Sequence, residues 1–493
     1  MTSMLNPPVV ASRTWLNPGM GSPATLVDVI ERGAALFDRR LAVVDDETAL
    51  SYTALRTRTH EMAARLRADG VRPGDMVAVA GRNGVRWVIA AFGASMCGAV
   101  VAPLRHGLTD GEHTTALGEL APVRVLGDEL SCTGAETTSP QPEHPPRDRD
   151  MALLLATSGT TGTPDYVPMT HGQLVRLYGE VGRRLGLVPE DRLLGAVPLA
   201  HSFGFNGVLL AGLLAGASVR LLPTYDRRRV AALVRDERLT VVFGPPTVFH
   251  DLGRADVVLG DSCRLAVSGS AEVSAPVLRS TCDRLGIPEV VVGYGLTEAA
   301  GTVAMGHLHP GADRIWMTPL SGVEVRIADE DGAGLGGGEA GRILVRGYNV
   351  CRRSFRDPVP DPSHWLDTGD VGRLDRTGRL IVESRRDDMV VVSGYNVYPQ
   401  EVEAALMAHP SVAAAVVVGM PDPRRGQHLV AGVVTSVGHR ASGDVLISHC
   451  RKLLASNKNP RTVVVLSQLP LTATGKVSRS ALRRRLEQED TNV

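Results

Sequence analysis

The apolar positions of this chain follow one pattern as far as about residue 320 and another beyond it. In the first stretch, Ser51 to Ala68 carries Leu55, Met62 and Leu66 on one stripe, with Gly70 as a stop, which predicts a helix. Met76 to Ala80 (MVAVA) predicts a short strand, Gly84 to Gly98 a mostly apolar helix, and Ala99 to Pro103 another strand. Met151 to Ala156 reads as a short buried strand. From Val181 to Pro288 the alternation continues. Its strands are LLGAVPL, ASVRLL, TVVFG and RLAVSGS, and its helices run through Leu209 to Leu214, from Arg227, and from Ala275 to Leu285. Short, fully apolar strands between helices indicate an α/β fold with parallel sheet covered on both faces.

From Val323 the strands VEVRIAD, GRILVRG and GRLIVES alternate apolar and polar residues between Gly- and Asp-rich turns. That pattern suggests antiparallel sheet or a distorted barrel. Beyond Arg385 the chain reads as a small α+β unit. Its pieces are MVVVSG, a helix near Glu401 to His409, AAAVVVG, LVAGVVT, a helix near Asp444 to Ala455, and TVVVL. The polar segment SRRDD, residues 384–388, suits a hinge. The expected units are therefore residues 1–385 and 386–493. Residues 1–24 read as an irregular arm, and residues 131–150, rich in Pro, Thr and Glu, as a surface linker. No repeat of fixed period is present.

Composition narrows the class of function. Lys plus Arg equals Asp plus Glu, at 53 each, which favours neither nucleic acid nor an anionic membrane as partner. The six cysteines, Cys97, Cys132, Cys263, Cys282, Cys351 and Cys450, have no metal-ligand spacing and read as buried reduced thiols. No signal-like segment and no apolar run of about 18 residues occurs, so a soluble cytoplasmic protein is expected.

Candidate chemistry begins after the Met151–Ala156 strand. Thr157, Ser158, Gly159, Thr160, Thr161 and Gly162 are all small. Such a loop exposes amides and hydroxyls that suit a phosphate, although the same residues make ordinary turns. A cation would normally complete a phosphate site, yet the first charged residue after Pro164 is Asp165. Downstream, GYGLTEAA (293–300) places Tyr294 where it could stack on a purine, beside Gly295. In the same motif Thr297 could bond a phosphate oxygen and Glu298 could hold Mg²⁺. In LDTGD (366–370), Asp370 leaves a tight turn with a carboxylate suited to a ribose diol. In LPLTATGKVSRSALRRRL, Lys476 sits on a Gly-containing turn ahead of an amphipathic helix, as a movable cation would. Each also has a plain structural reading: Tyr294 as packing, Asp370 as a turn-former, Lys476 as a solvated lysine.

Taken together and in this order, the motifs resemble the ANL superfamily of adenylate-forming enzymes, which comprises acyl-CoA synthetases, carrier-protein adenylation domains and firefly luciferase. The resemblance runs from about residue 25 to 485, and YNVYPQEVE (395–403) is most similar to the acyl-CoA ligase branch. It implies a large N-terminal domain of two flavodoxin-like sheets and a distorted β-barrel, with a small C-terminal lid. It further implies that residues 157–162 are the phosphate loop, and that Ser270, Ala271 and Glu272 lie along an adenine faced by Tyr294. Thr297 would contact the α-phosphate and Glu298 the Mg²⁺. Asp370, assisted by Arg385, would bind the ribose. Lys476 would bridge carboxylate and α-phosphate, Asp387 would be the hinge, and Gly394 would line the pantetheine tunnel. His201 and Phe203 of PLAHSFGF match the family's gate beside the acyl pocket, though His201 also reads as a packed histidine. Phe203, Gly204, Val267, Ser268 and Gly269 would border that pocket, and the several small residues among them suit a bulky, secondary-metabolite acid. Arg451, Lys452, Lys458 and Arg461 either meet the CoA phosphates or form a solvated face.

Two departures are present, and the first sets the functional expectation. The family usually has Lys where this chain has Asp165, and Gly where it has Ser384. The expected activity is thioester formation from an acyl-adenylate and CoA, with adenylation from ATP and Mg²⁺ impaired or absent. A separate adenylating enzyme would then supply the acyl-AMP, and a homodimer is a family-level expectation. The alternatives are a complete two-step ATP-dependent synthetase, an enzyme that loads a carrier protein, and an inactive adenylate-binding subunit. A luciferase-like oxygenase has nothing beyond the shared motifs behind it.

Overall fold

The computed structural model describes residues 23–127, 145–157, 165–253, 259, 261–270, 274–388, 390–392, 395–422, 426–436, 438–470 and 477–490. Most of the expected N-terminal arm and most of the expected linker lie outside them.

The helix expected over 51–68 is Tyr52–Ala68, with Ser51 as its N-cap, whose hydroxyl accepts the Ala54 amide at 3.1 Å. The first sheet has five strands in the order Arg124–Leu126, Met76–Val79, Val100–Pro103, Met151–Thr157, Asp165–Thr170. The first four are parallel, and Asp165–Thr170 folds back antiparallel on Met151–Thr157 as a hairpin. A second sheet has nine strands. Its parallel centre includes Arg192–Gly195, Val241–Gly244, Leu265–Gly269 and Glu289–Tyr294, and antiparallel pairs close both edges. The C-terminal end of Glu289–Tyr294 faces the candidate chemistry, as ligand sites in open α/β sheets do.

The segment expected to be a distorted barrel is, among the described residues, a four-stranded antiparallel sheet that does not close. Its strands are Val323–Ala328, Gly341–Gly347, Leu366–Leu374 and Leu380–Arg385, each paired with the next in sequence. Polar residues alternate on these strands because one face is not covered by the core. A further sheet, built on the long pair Val412–Asp422 and Gly426–Thr435, carries Thr462–Val465 in parallel, beside helices Pro399–Met407 and Gly443–Leu453. The largest buried apolar set draws its residues from Leu26 to Leu380. Two other sets are drawn wholly from Val390 to Leu486.

The helix expected through Leu209–Leu214 differs in form. It is a π-helix over Phe203–Leu210 that continues as an α-helix over Ala211–Ala215. Apolar periodicity cannot distinguish the two, and π-turns concentrate at functional sites. Gly204 is required here by close approach, because a Cβ would sit 2.0 Å from the Pro198 carbonyl oxygen.

The five described cysteines are buried and free. Burial pushes the thiols of Cys263, Cys282 and Cys351 up to about 12, so they are poor nucleophiles. Among the described residues no helix is long and apolar enough to cross a membrane.

Candidate functional site

Two turns and one strand build the site. Glu289–Tyr294 leads through Gly295 into a 3₁₀ turn, Thr297–Ala299. Gly295 has no room for a side chain, since a Cβ would lie 2.2 Å from the Gly301 carbonyl oxygen. The turn is held from outside by buried polar groups. Tyr178 Oη donates to the Ala300 carbonyl at 2.8 Å, and Asn206 Nδ2 donates to the same oxygen at 3.3 Å. Asn349 Nδ2 donates to the Ala299 and Thr302 carbonyls at 3.4 Å each, and the Cys351 amide donates to the Glu298 carbonyl at 2.8 Å. Ala300, at φ +55°, closes the turn in the left-handed region. The backbone around Thr297 and Glu298 is thereby fixed. Glu298 is half-buried and its carboxylate has no hydrogen bond or ion pair with a described residue, which suits a cation ligand.

Asp370 stands on the neighbouring strand Leu366–Leu374, paired in register with Arg385. Its carboxylate is 6 % exposed. Tyr294 Oη donates to Oδ2 at 2.7 Å, and Arg385 Nε lies 3.2 Å from Oδ1. Burial raises the Asp370 carboxyl above the usual range, and the Tyr294 and Arg385 donors oppose that shift. Burial, with the adjacent Asp370 charge, pushes the Tyr294 hydroxyl well up. Tyr294 therefore stays a neutral phenol donating to Asp370, because ionising it would set a second desolvated negative charge beside that carboxyl.

Of the expected phosphate loop and its surroundings, only the flanks are among the described residues. Thr157 ends one strand and Asp165 begins the next, directly opposite in register. Thr157 Oγ1 donates to the Asp165 carbonyl at 3.4 Å, and Asp165 is exposed at the hairpin mouth. Ser158, Gly159, Thr160, Thr161 and Gly162 lie outside the described residues. Arg176, a basic residue on the helix that follows the hairpin, stacks its guanidinium over the Tyr348 ring at 3.7 Å.

On the expected acyl side, Val267, Ser268 and Gly269 are buried in Leu265–Gly269, and Ser268 is 0 % exposed. Gly269 packs tightly on the next strand, where a Cβ would be 2.8 Å from the Gly293 oxygen. Ser270 follows at φ +63°. Ala271 and Glu272 lie outside the described residues. His201 and Phe203 are adjacent and half-buried; the Phe203 amide donates to His201 Nδ1 at 3.2 Å, which makes that nitrogen the acceptor. The Phe203 ring sits 6.2 Å from Phe243.

Asp387 lies in a 3₁₀ turn, Arg386–Asp388, while Gly394 and Lys476 are outside the described residues. Of the four basic residues set against CoA, Lys458 is ion-paired with Glu401, and Arg461 with Asp422 at 2.7 Å. The supporting Tyr178, Asn206 and Asn349 were not singled out by sequence. Each lies far along the chain from the turn it holds, and only their polarity inside apolar runs hints at a buried role.

Residues 30–354 match the family model of the AMP-binding enzyme, and residues 401–476 that of the AMP-binding enzyme C-terminal domain. A feruloyl-CoA synthase of Amycolatopsis sp is 35% identical, with 95% of this chain and 99% of that protein covered. The 3-[(3aS,4S,7aS)-7a-methyl-1,5-dioxo-octahydro-1H-inden-4-yl]propanoyl:CoA ligase of Rhodococcus jostii (strain RHA1) is 32% identical, over 94% of this chain and 98% of that one. Among solved structures, ATP-bound MatB from Rhodopseudomonas palustris matches with a TM-score of 0.84 at 26% identity, covering 94% of this chain and 99% of its own.

Proposed function

We propose, from the premise that this chain belongs to the AMP-binding enzyme family and is an acyl-CoA ligase, that it forms its thioester from an acyl-adenylate and CoA while ATP-dependent adenylation is impaired. The observation that carries this reading is Asp165, a carboxylate at the mouth of the hairpin whose loop would cradle phosphates. A cation there would face the β- and γ-phosphates of ATP. A carboxylate removes that attraction and adds repulsion. Two unit charges about 4 Å apart interact by on the order of 4 kcal/mol at an effective dielectric near 20. Solvent at an exposed position screens much of this. An acyl-adenylate carries only the α-phosphate, so the thioester step is spared. Arg176, a basic residue on the helix that follows the hairpin, is engaged with Tyr348.

In this reading residues 386–493 act as a lid that turns at Asp387. Thr297 contacts the α-phosphate, Asp370 the ribose and Tyr294 the adenine. Lys476 serves the adenylating pose and Gly394 the pantetheine tunnel. His201 and Phe203 gate the acid. Glu298, free of described partners, would hold Mg²⁺ wherever ATP is used; the ion would neutralise phosphate charge. The acid is bulky. The support is that two relatives are named for ferulate and for a bicyclic propanoate, and that small residues line the Leu265–Gly269 strand. A separate adenylating enzyme would supply the acyl-AMP, within the cytoplasm.

The test is acid-dependent ATP–pyrophosphate exchange, run beside CoA thioester formation from synthetic acyl-AMP. Wild type should show weak exchange and ready thioester formation, and Asp165→Lys should raise exchange at least tenfold, or about 1.4 kcal/mol in barrier. Robust exchange by the wild type would return the protein to the complete two-step ligases.

A further inference from the structure

Among the described residues the Asp370 carboxylate has two side-chain donors of different character. Arg385 reaches it from the end of Leu380–Arg385, one residue before the Arg386–Asp388 turn, and its side chain is 65% exposed. Tyr294 reaches it from the end of a central strand, and its ring packs on the main apolar core. The tyrosine contact is the shorter, at 2.7 Å against 3.2 Å. The remaining neighbours are accounted for. Thr368 Oγ1 accepts the Asp370 amide at 3.1 Å and donates its own hydrogen bond to the Ile343 carbonyl at 2.9 Å. Asp388, from the 3₁₀ turn, adds a like charge that opposes ionisation of Asp370.

A carboxylate has about four acceptor positions, two on each oxygen. One on Oδ2 is taken by Tyr294 and one on Oδ1 by Arg385. One position on each oxygen is left, which is the number that a vicinal diol needs. We propose that the Tyr294 hydroxyl is the fixed donor that orients Asp370 toward a ribose 2′,3′-diol, a positioning role separate from any stacking by its ring; this rests on the reading of Asp370 as the ribose ligand. Arg385 contributes too, but it sits beside a turn and in solvent. Tyr294 is anchored in a strand on the other side of the carboxylate. The hydroxyl therefore holds Asp370 whatever the state of the turn.

Binding of AMP and of 2′,3′-dideoxy-AMP to the full-length protein separates the hydroxyl from the ring. Wild type should bind AMP more tightly than the dideoxy analogue. Tyr294→Phe, which keeps the ring, should weaken AMP roughly tenfold and leave the dideoxy analogue unchanged. Asp370→Asn should abolish the preference for AMP, and adding Tyr294→Phe to it should change nothing further. Equal losses for both nucleotides in Tyr294→Phe would assign the effect to the ring or the fold and overturn the proposal. So would no loss for either. A wild type that binds the two nucleotides equally would instead overturn the ribose reading of Asp370, and the proposal with it. Should Tyr294→Phe fail to fold, Asp370→Asn and wild type still decide whether the diol is read by this carboxylate, and Tyr294→His supplies a ring without the phenol.

Discussion

The Ala300 carbonyl shows how single residues fix this site. It accepts from both Tyr178 and Asn206, and Gly301 beside it has no space for a Cβ, which would stand 2.4 Å from Tyr178 Oη. Thr297 and Glu298 stand out in sequence because they share one short motif with Tyr294. Their supports do not, since Tyr178 lies 122 positions from Ala300 and no local pattern links the two. The same holds for the Tyr294 hydroxyl and Asp370, which are 76 positions apart. Motif order located both groups; only the fold shows that they bond. Tyr178→Phe removes the shorter donor to Ala300 and leaves its carbonyl to the longer Asn206 contact. A loss of about 1–2 kcal/mol is expected in urea unfolding, the range for a hydrogen bond removed from a buried partner. Thioester formation from acyl-AMP should slow with it as Thr297 loses its fixed backbone. A change under about 0.5 kcal/mol, within the scatter of ordinary surface substitutions, would mean that Tyr178 is not a support.

At the level of elements, the short apolar strands were legible and their pairing order was not. Hydrophobic runs mark burial, whereas neighbours in a sheet are chosen by long-range packing. Helix docking carries a consequence for acid stability. The helix Leu26–Phe37 offers its first amide, Leu26 N, to His171 Nδ1 at 3.2 Å, at the start of His171–Arg184. An orphan helix donor is thus satisfied by a neutral imidazole. Protonation would turn that acceptor into a donor. His171 is 1% exposed, and burial lowers its pKa to about 4, with Asp150 and Asp28 opposing. The folded pKa lies below the unfolded one, so between about pH 6.5 and 4 the unfolded chain binds the extra proton. Stability from this group is full above that window and is lost as pH falls through it, by about 2–3 kcal/mol. His171→Asn keeps an acceptor that does not titrate. Unfolding measured from pH 7 down to 4.5 should therefore fall more steeply for wild type than for the variant. Parallel curves would remove His171 from the account.

Along the molecule as a whole the sequence changes pattern where the charged SRRDD segment lies. What sequence could not show is where those charges go. Arg385 pairs with Asp370 and Arg386 with Asp367 at 3.3 Å, both acids being on Leu366–Leu374. Asp367 also holds Arg342 at 2.7 Å. On the other side, Asp388 lies 3.7 Å from Arg479, which grips the buried Glu403 with bonds of 2.8 and 2.9 Å. Burial raises the Glu403 carboxyl while Arg479 opposes that shift, so loss of the arginine would leave an unpaired buried charge. Neighbours of Asp387 are thus tied in opposite directions, those before it to the four-stranded sheet and the one after it to the C-terminal residues. A rotation that keeps both sets of ion pairs has to be absorbed between them, which favours Asp387 as the pivot we propose. Proline at this position fixes φ near −65°, a value that suits the 3₁₀ turn seen here and resists any other. Asp387→Pro should consequently bind an acyl-AMP that wild type consumes with little change, yet form its CoA thioester at least tenfold more slowly, because the lid cannot leave the pose in which it is held. Single-turnover thioester formation, measured beside calorimetric acyl-AMP binding, distinguishes the outcomes. An undiminished rate would place the pivot elsewhere, and joint loss of binding and rate would show that Asp387 supports the adenylate site itself.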